Sequence, residues 1–108
     1  MSADIKMFTV SYLPNGCNYE LLGLVKGNVS LAKHVGKDLL AGFKNIVGGE
    51  VESYTEMLSE AREIATKRMV EEAKKLGANA IIGINFSSSS VVAGTVEVVA
   101  YGTAITLK

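Results

Sequence analysis

The sequence predicts an α+β domain, an antiparallel sheet packed against one short and one long helix. Three observations predict it. The stretch "YELLGLVKGNVSL" alternates, with Leu21, Gly23, Val25, Gly27, Val29 and Leu31 on one side. The stretch "GTVEVVAYGTAITLK" also alternates, and both of its sides are largely apolar. Between them, Tyr54, Leu58, Ala61, Ala65, Met69, Ala73 and Leu76 recur at helical spacing, widened by Met57 and Ile64. A period of two marks a strand and a period near 3.6 marks an amphipathic helix.

The elements follow in chain order. "MFTVSYL" reads as a first strand, and Pro14-Asn15-Gly16 as the turn that ends it. The alternating stretch from Tyr19 to Leu31 is the second strand; its glycines allow a bend or let another element approach closely. Val35, Leu39, Leu40, Phe43, Ile46 and Val47 make a short amphipathic helix that stops at Gly48. Gly48 and Gly49 read as the boundary between two helices. They fit a phosphate-binding loop poorly, because Glu50 and Glu52 would repel an anion there. Ser53 to Glu56, "SYTE", fits a capping box that opens a helix of roughly two dozen residues, and Gly77 suits its C-terminal turn. Pairs such as Glu63–Lys67 and Glu71–Lys75 suit its solvated side. "NAIIGINFSSSS" is a strand with Ala80, Ile82, Ile84 and Phe86 on one face; its serines form the strand end or the loop to the last strand.

At 108 residues the chain is read as a single domain, 1–108. Hydrophobic residues make up 48 %, which argues against disorder. Eleven basic residues balance 11 acidic ones, so no basic face for nucleic acid is expected. "VVAGTVEVVAYGTAITL" contains Glu97 and is rich in glycine and β-branched residues, so it reads as strand and no membrane span is expected. The start shows no signal-peptide pattern and Cys17 is the single cysteine, so a cytoplasmic location is expected. One helical layer covers one face of a sheet. The two apolar sides of the last strand therefore predict a homo-oligomer in which another copy covers the second face.

Few residues carry candidate chemistry. Cys17 and His34 are weak candidate metal ligands; one of each per chain cannot close a site alone, although copies around a symmetry axis could supply more. No recognisable motif orients them as a nucleophilic pair. Asp38 and Arg62 would form an ion pair if the two helices pack, a structural or intersubunit tie. These residues point to a non-enzymatic protein. An enzyme would need an intersubunit cluster around Asp38, Arg62, Tyr54 and His34.

The order and spacing of "LGLVKGNVSLAKHVGKDLLAGFKNIVGG", "SYTEMLSEAREIA", "AKKLGANAIIGINF" and "AYGTAITL" resemble the YbjQ-like family, functionally uncharacterised and labelled a "putative heavy-metal-binding" domain. The resemblance implies a dodecin-like subunit and a homopentamer whose sheets join into an oligomeric barrel. It also makes a divalent metal a candidate cofactor. Glu50 stands where the family typically has arginine, and Asn85 and the following serines where it typically has acidic residues. The function expected is a pentameric protein that binds a small ligand or metal ion; the alternative is a scaffold for another protein.

Overall fold

The computed structural model describes residues 4–32, 52–90 and 92–108. The expected short helix, with His34, Asp38, Gly48 and Gly49, lies outside the described residues. Four strands and one helix are described: β1 (Lys6–Met7), β2 (Tyr19–Ala32), α1 (Glu52–Lys75), β3 (Ala80–Ser89) and β4 (Thr95–Leu107). They form one sheet in the order β1-β3-β4-β2 with α1 laid across one face.

The sheet is mixed. β2 and β3 both run antiparallel to β4, in keeping with the antiparallel sheet expected, but β1 runs parallel to β3. The expected first strand shrinks to Lys6–Met7. Its pairing continues irregularly: Phe8 N–H donates to the Ile81 carbonyl (2.8 Å), Ile84 N–H to Phe8 (3.1 Å) and Gly83 N–H to Val10 (2.6 Å). Beyond that the chain turns at Pro14, whose carbonyl accepts from Cys17 N–H at 3.2 Å.

The helix runs 24 residues, the length its stripe predicts. It begins at Glu52, one residue ahead of the serine expected to cap it. Its end is a Schellman motif: Ala78 N–H donates to the Ala73 carbonyl (3.0 Å) and Gly77 N–H to Lys74 (3.0 Å). Gly77 takes φ +84, a conformation that a Cβ disfavours. On the solvated side Lys75 meets Glu72 at 3.5 Å, three residues away, in place of the expected Glu71.

Alanines bring helix and sheet close. Ala61, Ala65, Met69 and Ala73 are fully buried against Val25, Val29, Val96, Val98 and Ala100. Opposite them, a Cβ on Gly27 would run into the Ala65 carbonyl and the Met69 amide. Gly27 is thus where the backbones of β2 and α1 nearly touch. Met57 and Met69 fill the space that the alanines leave, and each buried methionine contributes about 1.5–3 kcal/mol of transfer free energy.

Two bulges change which residues face the helix. The β2–β4 register shifts between Leu21 and Gly23, so Leu22 turns toward the helix and Leu21 toward the opposite face. The β3–β4 register shifts between Ile82 and Asn85, where Gly83 adopts φ +63. Ala80 and Ile82 therefore lie on the far face, while Ile84 joins the helix side and Phe86 pairs with Ala100 on that side. The expectation of one shared face for these four residues fails because an extra residue inverts the alternation.

Candidate functional site

The described chemistry-bearing residues do not converge. Cys17 is exposed in the turn before β2, near the Tyr19–Leu107 end of the sheet. Tyr54 sits half-buried at the other end, its hydroxyl 3.3 Å from the Thr95 carbonyl. At about 3.3 Å per residue, the length of β4 separates these two ends by roughly 40 Å. Arg62 is exposed on α1, two turns from Tyr54, and lines an open groove with Met7, Thr66 and Val70. Among the described residues no three His, Cys, Asp or Glu side chains gather closely enough to hold a metal ion. The donors present therefore do not fit a metal centre within these residues of one subunit. None of the buried side chains described is polar or charged, so no desolvated titratable group is found among them. No described helix is long and apolar enough to cross a membrane.

What the fold does assemble is a surface. On the face away from α1, Ala80, Ile82 and Ile105 are covered by Phe8, Leu13, Tyr19 and Leu107. The chain thus covers by itself one end of the face expected to need another copy. The rest stays open. Leu21 is 66 % exposed, Leu24 70 % and Tyr101 39 %. The register places Asn85, Tyr101 and Lys26 in one row across three strands and Ser89, Glu97 and Ser30 in another. The Ser30 hydroxyl donates to Glu97 Oε2 at 3.4 Å.

The edges of the sheet are open as well. Among the described residues β2 pairs only with β4, so its outer side is an edge 14 residues long. At the other side, β1 and Phe8 to Val10 cover β3 as far as Ile84, and among the described residues Asn85 to Ser89 have no neighbour there. Edge strands present unpaired N–H and C=O groups, and natural sheets protect them or pair them. One guard is present: Arg68 reaches over from α1 and donates from Nη1 to the Asn28 carbonyl at 2.7 Å. Sequence reasoning did not single out Arg68, because its partner lies 40 positions away and no local pattern announces it.

Comparisons with known proteins agree on a family and supply no activity. Residues 5–108 match the model of a family, YbjQ, described as "putative heavy-metal-binding". A UPF0145 protein of Helicobacter hepaticus is 55 % identical over 101 residues, covering 94 % of this chain and 96 % of that protein. A UPF0145 protein of Archaeoglobus fulgidus is 53 % identical over 108 residues, the full length of both chains. The fold resembles the crystal structure of a DUF74-family protein of unknown function from Pediococcus pentosaceus, with a TM-score of 0.69 and 18 % identity. That match covers 96 % of this chain and 98 % of the other.

Proposed function

The chain belongs to the YbjQ family, and from that premise we propose that it is a non-enzymatic subunit of a homo-oligomer. The oligomer joins through the edges of its sheets, and its ligand, a small molecule or a metal ion, sits on surfaces that exist only in the assembly. The observation that carries this reading is the pair of edges left open among the described residues on opposite sides of one sheet, beside a face that leaves Leu21 and Leu24 largely exposed. A two-fold contact would use one edge twice and leave the other bare. Head-to-tail contact pairs both edges, and forms a ring where the rotation between successive copies closes. The count of five comes from the family resemblance, as does the barrel that joined sheets would form.

A divalent metal enters this reading only between copies. Cys17 and His34 are the candidate ligands, one of each per chain, and the symmetry axis would have to multiply them. In the alternative reading the open face holds another protein and the oligomer is its scaffold. Native mass spectrometry of gently purified protein tests all of this together. A five-chain species with added mass of a metal or small molecule is the expected result. A five-chain species without added mass, together with a reproducible protein partner in a pulldown, favours the scaffold. A single chain defeats both.

A further inference from the structure

We propose that Phe86 is the knob by which each copy seats on the next, its ring entering the groove between β2 and α1 of the neighbouring subunit. The inference rests on the head-to-tail reading above and adds which surfaces meet.

The knob follows from where α1 lies. The helix is laid over β2 and β4 and barely touches β3. Phe86 pairs with Ala100, which packs in the core beneath α1, so the two share the helix side of the sheet. Ala100 is fully buried there, whereas Phe86 is 47 % exposed. Phe86 stands on the stretch Asn85 to Ser89, which among the described residues has no strand beside it at the edge. Every other residue of that stretch is asparagine or serine, so Phe86 is its one apolar anchor. An aromatic side chain left half in water at an open edge gains by burial.

The groove lies at the opposite edge, on the same side of the sheet. Gly27 and Asn28 of β2 line it with Arg68, Glu71, Glu72 and Lys75 of α1, and its volume is about 340 Å³. An apolar cavity of roughly 150 Å³ already holds a benzene ring. The Asn28 carbonyl accepts from Arg68 Nη1 at 2.7 Å and so fixes that side chain beside the groove. A guanidinium attracts the face of an aromatic ring, and the methylene stems of Arg68 and Lys75 offer it apolar cover. Glu71 and Glu72 offset the cations, so the walls suit a neutral ring better than an anion.

Head-to-tail assembly brings knob and groove together. It joins the β3 edge of one copy to the β2 edge of the next and keeps every helix on the same side of the joined sheet. The neighbour's α1 overlies its own β2 and therefore stands next to the part of β3 that the first copy leaves bare. Phe86, Ala100 and Gly27 lie in one row across the sheet, which sets knob and groove at one level along the strands. Closing a barrel tilts the strands and offsets that level by a few residues. The groove runs from Arg68 to Lys75, about 10 Å along the helix, and spans such an offset. A two-fold contact through β2 would set groove against groove and leave Phe86 bare.

Photoreactive benzoylphenylalanine at position 86 reads the contact directly. Irradiating the assembled protein is expected to link chains into a ladder on a denaturing gel. Mass spectrometry of the linked peptides is expected to join position 86 to residues 26–28 or 68–75 of another chain. Phe86→Ser is expected to raise the concentration at which the assembly dissociates by roughly tenfold or more, read by sedimentation. Circular dichroism of the subunit stays unchanged, since the ring is half exposed within one chain. An assembled protein in which position 86 links only within its own chain, or to another surface or another protein, overturns this inference and spares the assembly. So does a Phe86→Ser protein that dissociates at the unaltered concentration. A chain that is monomeric before any substitution overturns both.

Discussion

At the scale of single residues, two positions hold more of the structure than their size suggests. Gly27 lies where the backbone of β2 meets the backbone of α1, and the atoms in the way of a Cβ belong to the Ala65 carbonyl and the Met69 amide. Backbone cannot move aside as a flexible side chain can. Gly27→Ala is therefore expected to destabilise by about 3 kcal/mol or more, read from urea unfolding at fixed protein concentration. An unchanged midpoint would show that helix and strand are less tightly apposed. Asn79 acts through its amide, which donates to the Leu107 carbonyl at 3.0 Å and accepts from the Leu107 amide at 2.6 Å. It thus works as an extra rung that ties the end of β4 to the start of β3. Asn79→Ala leaves both Leu107 groups part-buried and unmatched, and about 1–3 kcal/mol should be lost. Gly27 could be suspected from its place in an alternating strand. Nothing near Asn79 or Arg68 in the chain signals their long-range partners.

At the scale of elements, α1 shows why a long periodic pattern is readable. Its stripe repeats over many turns, so one uncertain position does not shift the face, and Gly77 marks its end chemically. The Schellman turn there predicts that Gly77→Ala, by placing a Cβ at φ +84, costs about 1–2 kcal/mol. A loss well under half of that, by thermal unfolding, would mean that the turn relaxes into another conformation. Apart from β1, the strands were legible in extent and less so in facing. β2 and β4 run where alternation placed them, yet Leu21, Ile84 and Phe86 face the opposite way from their period-two assignment. A bulge adds one residue to one strand, and the alternation rule has no means to see it. The parallel pairing of β1 escaped as well, because orientation depends on how distant segments meet.

At the scale of the whole molecule, a 14-residue strand that is an edge among the described residues, with exposed Leu21 and Leu24, is costly for an isolated subunit and useful to an assembled one. The two-sided apolar pattern of β4 made the exposed apolar surface partly legible. What it could not show is that Phe8, Leu13 and Tyr19 cover one end of the second face. Leu24→Asp puts a charge onto the open end of that face, beside the β2 edge. It is expected to shift the protein toward single chains in gel filtration while circular dichroism stays that of the folded subunit. Full assembly of that variant would place the contact elsewhere. The central claim meets its most direct test in the mass of the unmodified protein by light scattering at micromolar concentration. The account predicts the mass of five chains of 11.4 kDa each. A mass of one chain would contradict it.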